Sequence, residues 1–382
     1  MTQDIRDLLT TSCELLALGE PTHQEPAFPQ LRNDLFAQLT SAGFRSIALE
    51  TDRVAAYAVD AFVQHGKGSL EMAMREGFSH GLGTLEANRQ LVAWMCDYND
   101  NRPANERLTF HGFDTPVEMM SAPSPRAYLE YARDFLGLDV ELASLVGADE
   151  LWSRSEAILD PAESIGATPE ADRLQIIADD LLTELYARAP ERTAATSRAE
   201  WFKAKTHLTA GLGLLRYHRQ SAQRMEPSTR VSRLLATRDA LMAQNLFDIR
   251  AIESRRGPTL VFAQNLHLQR NPSRWRLAGM DLTWFPAGAI VSSVVGDRYT
   301  FVAGSLGSSA ALGLGEPSPD TYEGLLQSRI STWGLTAAST VAPADVRTDT
   351  KPEQGYFPLD RATVNCADAI LHINAAQQPA VL

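Results

Sequence analysis

A short apolar run at residues 15–18 (LLAL), broken abruptly at Gly19, constrains the fold more than any other stretch of this chain. Ionisable residues follow it at once, first Glu20 and then His23, ahead of a helical pattern that begins at Pro29. Buried strands that end in ionisable residues before a helix are typical of open α/β sheets, whose sites form at the carboxyl ends of the strands. We therefore predict that this segment is a buried strand that carries part of a functional site.

Two more strand–helix units follow in the first third of the chain. Residues 45–49 (RSIAL) and 107–110 are predicted strands, and helices are predicted between them at 54–64 and 85–98. Because parallel strands end at one edge of a sheet, the ionisable residues that follow these strands should lie close together. Those residues are Glu20, His23, Glu50, His111 and Asp114.

The last third of the chain returns to strand patterns. Residues 259–263 (TLVFA) predict a buried strand, and Gln264, Asn265 and His267 follow it. The other elements expected here are strands at 288–296 and 299–303 joined by a turn, a Gly- and Ser-rich loop at 305–319, a helix near 322–331 and a strand at 369–373.

The middle of the chain, from about residue 123 to 255, contains no convincing strand. Long helical patterns cover 171–187, 198–224 and 228–253. We interpret this block as a helical insertion that could wall a pocket, within a division of the chain into 1–120, 121–256 and 257–382. Its arginines are interpreted as solvated and its two histidines as structural or surface residues: Arg216, Arg219, Arg224, Arg230, Arg233, His207 and His218.

Composition excludes several classes of function. A formal net charge of -12 argues against a nucleic-acid surface and favours a neutral or cationic small-molecule partner. Three cysteines without close spacing predict reduced thiols in a cytoplasmic protein. Charged residues within the first fifteen positions argue against a signal peptide, and the longest apolar runs are too short for a membrane span, so we expect no membrane role.

The residues around the first strand point to acid–base chemistry. A carboxylate at Glu20, an imidazole at His23 and a guanidinium at Arg32 supply an orienting anion, a base and an anion binder. A loop histidine alone would be uninformative, since most such residues take no part in chemistry. The three groups together make a hydrolytic site the preferred interpretation.

Other chemistries have weaker support in the sequence. The best match to a nucleophile elbow is centred on Ser305, but Ala303 replaces its first glycine and a poor helix follows. No phosphate-binding loop or dinucleotide fingerprint occurs, and no cofactor is predicted. The candidate metal ligands lack the spacing of a metal site, so no metal is predicted: Glu20, His23, His111, Asp114 and His267.

An ordered set of short motifs across nearly the whole chain resembles the erythromycin esterase family. The first is the N-terminal segment Leu18-Gly19-Glu20-Pro21-Thr22-His23, followed by Arg32, Gly43-Phe44 and Leu49-Glu50. The later matches are Trp94 with Tyr98-Asn99, Phe110-His111-Gly112-Phe113-Asp114, Arg238-Asp239 with Met242-Ala243 and Asn245, Ala263 with Asn265 and His267, and residues 367–373.

The resemblance implies a three-layer α/β/α sandwich with a helical portion that forms a large cleft. It also implies metal-independent hydrolysis of an ester or macrolactone of a large natural product, without a covalent acyl-enzyme. By the same resemblance His23 is the general base on water, with Glu20, Glu50 and a second histidine, taken as His267, completing the catalytic set. Substrate contacts are expected from Arg32, Glu25, His111, Asp114, Gln264 and Asn265.

Two positions depart from the pattern of the family. Gln24 follows the first histidine where glycine is usual, and Gln264 precedes Asn265 where histidine is usual. Glutamine donates hydrogen bonds but does not transfer protons near neutral pH. Two alternatives therefore stay open: a relative that binds a natural product with little turnover, and a metal-dependent hydrolase.

Overall fold

A seven-stranded sheet lies at the centre of the computed structural model, which describes residues 2–376. Within that range the strands are β1 (Leu15–Glu20), β2 (Ser46–Asp52), β3 (Thr109–Asp114), β4 (Thr259–Gln264), β5 (Ser273–Leu277), β6 (Met280–Trp284), β7 (Tyr299–Ser309), β8 (Trp333–Ala337) and β9 (Ala369–Ala376).

The order of the strands is β3-β2-β4-β1-β7-β9-β8, and β5 with β6 forms a separate hairpin. Every neighbouring pair in the large sheet is parallel except β8 with β9, which is antiparallel. The predicted mostly parallel α/β fold is therefore confirmed. The three strands β2, β4 and β1 are adjacent, so their carboxyl ends lie side by side at one edge.

Helices connect the strands of the sheet. Their bounds are α1 (Ala27–Thr40), α2 (Ala56–His65), α3 (Leu70–Glu76), α4 (Glu86–Asn99), α5 (Arg126–Leu136), α6 (Ala143–Val146), α7 (Glu150–Ser153), α8 (Ser155–Leu159), α9 (Pro169–Ala187), α10 (Ala189–Ala195), α11 (Arg198–Ser221), α12 (Pro227–Glu253), α13 (Asn265–Leu268), α14 (Ala287–Val295), α15 (Tyr322–Gln327) and α16 (Arg361–Cys366). Short 3₁₀ turns lie at Ile5–Leu8, Leu82–Thr84, Gly296–Arg298, Ala338–Thr340 and Pro352–Gln354.

Helices cover both faces of the sheet because its strands are apolar on both. In β1 the side chains of Leu16 and Leu18 pack with α1, α2 and α4, whereas Leu15 and Ala17 pack with α12 and α14. Alternate residues of a strand point to opposite faces, so a continuous apolar run such as LLAL requires a cover on each side. The result is the expected three-layer sandwich.

The segment between β3 and β4 is entirely helical and has a hydrophobic core of its own, built chiefly from α5, α9 and α11. Capping residues start its long helices: Thr168 accepts a hydrogen bond from the Ala171 amide, and Ser197 accepts one from the Glu200 amide. The helix α12 also covers the central sheet, so the domain boundaries at 121 and 256 stay a prediction.

The strand predicted at residues 288–296 is wrong, because α14 occupies most of this segment. Its β-branched residues favoured a strand, but Ala287, Val291 and Val295 recur every four residues and bury one helix face against the sheet. Tertiary packing therefore overrides local propensity here. Gly288 is required by close packing, since a Cβ there would lie 1.9 Å from the carbonyl oxygen of Leu268.

The loop predicted to begin at residue 305 is also wrong at its start, because β7 continues to Ser309. Small residues normally weaken strands, but β7 lies between β1 and β9, where there is little room. A Cβ at Gly304 would lie 2.3 Å from the carbonyl oxygen of Gly19. The hairpin β5–β6 and the antiparallel strand β8 were not predicted; their short strands carry only a weak alternating pattern.

One arginine of the helical block differs from the solvated interpretation, and the two histidines of the block are structural residues. Arg230 is buried and donates to the carbonyl oxygens of Ile158 and Ser221, because these residues lie in the last turns of α8 and α11, where carbonyl groups lack an intrahelical partner. His207 and His218 are also buried, the first bonded to the Lys203 carbonyl and the second to that of Pro123. Burial lowers the pKa of both histidines, that of His218 to about 4. The structural alternative applies to both.

Candidate active site

The ends of β1, β4 and β2 place three polar residues next to one another. Glu20 and Gln264 are paired in register across β1 and β4, and Glu50 lies near the end of β2 on the other side of β4. Glu20 and Glu50 are both only 5% exposed. The expectation that these strands deliver carboxylates to one edge is therefore met.

His23 lies between the two carboxylates. Its Nδ1 is 2.7 Å from Glu20 Oε1, and its Nε2 is 3.6 Å from Glu50 Oε1. The short contact holds Nδ1, whereas the longer one exceeds hydrogen-bond distance. The His23 side chain is 39% exposed and lines the large cavity described below, so a substrate or a water molecule can reach the imidazole.

Glu50 is the centre of the cluster. Its Oε1 lies 3.3 Å from His267 Nε2 and 3.3 Å from the Arg238 guanidinium, and its Oε2 accepts a hydrogen bond of 2.9 Å from the backbone amide of Gln264. The two imidazoles, His23 and His267, thus face the same carboxylate oxygen. Few positions remain for a further ligand of Glu50.

Asp239, which is fully buried, holds the second imidazole. Its oxygens lie 2.9 and 3.1 Å from His267 Nδ1, and they also accept hydrogen bonds from Trp284 Nε1 at 2.7 Å and from the Ala287 amide at 2.8 Å. A carboxylate on one nitrogen of an imidazole fixes the ring orientation and tautomer. Asp239 therefore orients His267 toward Glu50.

Arg238 connects Glu50 to a further set of paired charges. The guanidinium of Arg238 pairs with both oxygens of Asp114, and Asp114 also lies 2.8 Å from His80 Nε2. His80 Nδ1 in turn lies 2.7 Å from Glu118. Burial raises the pKa of Asp114, but Arg238 and His80 outweigh that effect and lower it to about 2.

The carboxylates keep both imidazoles protonated over a wider pH range than free histidine. Burial lowers the pKa of His23, but Glu50 and Glu20 more than offset it and raise that pKa well above 6.5. Burial also lowers the pKa of His267, and Asp239 and Glu50 reverse the shift. For Glu50 burial raises the pKa, yet the two imidazoles hold it well below its ordinary value. The cluster is thus a network of opposite charges.

A cavity of about 740 Å³ opens in front of these groups. His23, Gln264 and His267 contribute to one wall. The other walls are largely aromatic and aliphatic and include side chains of the β5–β6 hairpin: Leu235, Leu266, Trp275, Leu277, Trp284, Tyr356 and Phe357. Large apolar pockets with a few convergent polar groups are the usual form of small-molecule sites.

Arg32 lies behind this wall, 1% exposed, and does not line the large cavity. Its guanidinium donates to Asn33 and Asn88 and stacks over the ring of Phe262 at 4.9 Å from the centroid. The charge of Arg32 lowers the pKa of Glu20, although burial is the larger effect and raises that pKa overall. Its position supports the ionised form of Glu20.

The structure does not bring three other candidates to the cavity wall. Glu25 lies just before α1 and accepts hydrogen bonds from the Ala27 amide and from the hydroxyl of Ser309, the last residue of β7. Asn265 bonds to both the amide and the carbonyl of Gly304. His111, in the middle of β3, pairs with Glu253 at 2.8 Å.

Asp114 lies at the predicted edge but contacts Arg238 and His80 rather than the large cavity. Three residues of this network had no predicted role: Arg238, Asp239 and His80. The charged Arg238-Asp239 pair falls within a long helical pattern, where charges usually face solvent. His80 lies in a loop without a motif and has a positive φ of 56°, which sequence alone does not reveal.

Among residues 2–376, no group of three or more histidine, cysteine, aspartate or glutamate side chains has an arrangement suited to a metal ion. The three cysteines are free thiols. None of the helices in the same range combines the length and apolarity needed to cross a membrane.

Fold and site together define an α/β protein with an acid–base cluster of imidazoles and carboxylates at the carboxyl edge of its sheet. The sequence profile described as "Erythromycin esterase" matches residues 39–378, most of the chain. The chain therefore belongs to the erythromycin esterase family. The match begins after Glu20, His23 and Arg32, so the roles of these residues depend on the geometry and on the motifs.

Three solved structures are similar over nearly their whole length. A Bacillus cereus protein has a TM-score of 0.69 at 16% identity, covering 98% of this chain and 91% of its own. A succinoglycan biosynthesis protein has a TM-score of 0.66 at 15% identity, with coverages of 98% and 90%. A mutant of the erythromycin esterase EreC in its open conformation has a TM-score of 0.66 at 18% identity, with coverages of 97% and 93%. These likenesses show the fold. No curated protein matches the sequence significantly.

Proposed function

We propose that this protein is an esterase-like hydrolase that opens an ester or macrolactone of a large natural product with a water molecule activated by His23. The observation that carries the proposal is the position of His23, between Glu20 and Glu50 and at the wall of a large apolar cavity. Family membership supports the reaction class.

The two nitrogens of His23 have different tasks in this mechanism. Glu20 accepts a hydrogen bond from the Nδ1–H group and so leaves Nε2 to act as the base. Because Nε2 lies 3.6 Å from Glu50, it is not held by a hydrogen bond there and is free to take a proton from water. The activated water then attacks the ester carbonyl of a substrate in the cavity.

His267 supplies the complementary donor. Asp239 and Glu50 flank it and favour the imidazolium form. An imidazolium at the cavity wall stabilises the tetrahedral oxyanion or protonates the leaving alkoxide. The side-chain amide of Gln264 also faces the cavity and adds a neutral donor to the same wall.

A serine nucleophile has no support in this arrangement. Ser305, the centre of the best elbow-like motif, is fully buried in β7 and lies 3.0 Å from His372 Nδ1. Burial lowers the pKa of His372 to about 3, so this histidine is neutral. Neither residue lines the large cavity. Direct attack by water is therefore the preferred route.

The cavity favours a bulky, mostly apolar substrate. Trp275, Trp284 and Phe357 offer flat apolar surfaces around a volume of about 740 Å³. The net charge of -12 for the chain favours neutral or cationic molecules over anions.

A protein that binds such a molecule with little turnover is the second candidate. The observation in its favour is that carboxylates hold His23 in the protonated form, which cannot accept a proton, while Gln264 replaces a group that could transfer one. The two candidates differ in turnover, not in ligand.

The experiment is hydrolysis of a panel of macrolides and activated esters in water enriched in oxygen-18. We expect one heavy oxygen in the acid product, no acyl-enzyme, and a loss of about a hundredfold or more in kcat for His23→Gln. His65→Gln is the matched control, since His65 is exposed at the end of α2. An acyl-enzyme trapped with hydroxylamine, or equal rates in the two variants, would contradict the mechanism. Binding without turnover would favour the second candidate.

A further inference from the structure

A second cavity, of about 280 Å³, lies between the ends of β2 and β3 and the helices α11 and α12. It shares no lining residue with the large cavity at His23. The mechanism proposed above assigns it no role. Two of its lining residues, Arg53 and Thr115, carry buried polar atoms that lack a partner within residues 2–376.

Arg53 is the more informative of the two. The residue is 7% exposed, and no acceptor within the described residues lies at hydrogen-bond distance from its Nε. Its guanidinium makes one long contact in that part of the chain, 3.3 Å from Nη1 to the carbonyl oxygen of Asn245. Burial lowers the pKa of Arg53, and Tyr57 and Asp248 offset this in part. A buried guanidinium with unused donors is costly unless an anion satisfies it.

The other charges of this cavity already have partners. Lys205 pairs with Asp248 at 2.8 Å, and Asp114 pairs with Arg238. Asp52 accepts a hydrogen bond of 2.7 Å from the Val54 amide, and burial raises its pKa to about 6. Within residues 2–376, Arg53 is thus the charged lining residue with donors that lack a partner, Nη2 and the buried Nε.

The rest of the lining is suited to a small organic molecule. Leu241, Phe247 and Pro116 form apolar parts of the wall. Thr115 and Thr209 lie on the same lining; the buried hydroxyl of Thr115 has no partner within residues 2–376, and that of Thr209 donates to the Thr206 carbonyl oxygen. An anionic head at Arg53 and an apolar body against Phe247 would satisfy both kinds of surface.

We propose that this cavity is a binding site for a small monocarboxylate with an apolar body, held by Arg53. A guanidinium offers two parallel N–H donors that match the two oxygens of a carboxylate. A phosphate fits less well, because Lys205 is already paired with Asp248 and Arg238 with Asp114, which leaves no second cation for a second negative charge on this lining within residues 2–376. The site goes beyond the hydrolytic function and does not depend on it.

Isothermal titration calorimetry of the whole protein with three probes tests the proposal. Benzoate supplies the charged head and the apolar body, benzamide keeps the shape without the charge, and inorganic phosphate supplies charge alone. We expect saturable binding of benzoate, with binding of benzamide and phosphate at least about tenfold weaker, since a hydrogen-bonded charge contributes at least this factor. Benzamide or phosphate binding as tightly as benzoate would overturn the proposal, as would no saturable binding of benzoate.

Variants locate the site. Arg53→Gln should weaken benzoate binding at least about tenfold, and Arg173→Gln, at an exposed position of α9, is the matched control. Because a buried change can unfold a protein, Ala210→Leu provides a second test that keeps Arg53 and fills the cavity from α11. His23→Gln should leave benzoate binding unchanged, because the large cavity is separate. Benzoate affinity that falls in His23→Gln but not in Arg53→Gln and Ala210→Leu would refute the assignment.

Discussion

Replacement of Asp239 by asparagine tests the buried network behind His267 most directly. The two carboxylate oxygens of Asp239 accept hydrogen bonds from His267 Nδ1, from Trp284 Nε1 and from the Ala287 amide. An asparagine side chain has the same shape but offers one oxygen and one NH₂ group. Whichever way the amide is turned, its NH₂ group faces a buried N–H donor of Trp284 or Ala287.

The magnitude follows from these contacts. A buried donor that loses its acceptor costs about 1–3 kcal/mol, and the loss of the charge-assisted bond to His267 costs about 1.5–3 kcal/mol. Added together, these losses lower the free energy of unfolding by about 2.5–6 kcal/mol, which brackets the range of about 3–5 kcal/mol found when one partner of a buried ion pair is removed. The pKa of His267 should also fall, because Asp239 raises it against the effect of burial.

Chemical denaturation in urea measures the stability change, and NMR titration of His267 measures the change in its pKa. Asp172→Asn is the control, since it removes an exposed ion pair with Arg219, whose contribution is about 0–1 kcal/mol. If the two variants lose the same stability and the pKa of His267 is unaltered, the argument that Asp239 holds this imidazole is refuted.

Three further predictions concern the reaction itself. Burial lowers the pKa of His23, but the carboxylates of Glu50 and Glu20 outweigh this effect and raise that pKa above 6.5. Because the neutral imidazole is the base, kcat/KM should rise with pH, and the rise should lie above pH 6.5. A kcat/KM that is constant or falls as the pH rises above 6.5 would exclude His23 as the base. Gln264→His should raise kcat roughly a hundredfold on a true substrate, because the new imidazole can act as a general acid. KM should stay nearly constant, since a general acid acts only in the transition state. An unchanged kcat would place Gln264 outside the chemistry. Exhaustive chelation should leave the rate unaltered, and a rate lost on chelation and restored by one divalent cation would favour the metal-dependent alternative.

Much of the α/β core was predictable from local pattern. Short apolar runs bounded by glycine and charge, such as residues 15–18 and 259–263, have the length and pattern of buried strands in a sheet covered on both faces. The polar residues directly after them are then necessarily at its carboxyl edge. The strand ends therefore predict that Glu20, His23 and Glu50 lie at this edge of the sheet.

Secondary structure was less predictable where local propensity and tertiary packing favour different elements. Residues 287–295 are rich in valine and alanine, and only their packing against the sheet selects the helix α14. Polar small residues near Ser305 suggested a loop, yet the position of β7 between two strands makes them part of the sheet. The prediction of a site at His111 assumed that the strand ends at residue 110, whereas β3 runs from Thr109 to Asp114 and the side chain of His111, in its middle, pairs with Glu253 of α12.

By itself the sequence determined the alternation of strands and helices, the parallel sheet and the family, because apolar periodicity and strand-end residues are local properties of the chain. Only the tertiary structure shows which further charges join Glu20, His23 and Glu50 at that edge. Arg238 and Asp239 lie some two hundred residues after Glu50 and on a helix of another layer, and the packing of α12 against β3 and α14 brings them to that carboxylate and to His267. Ion pairs between distant segments depend on how the layers of the fold pack, and no local sequence pattern encodes how close two such segments lie in space.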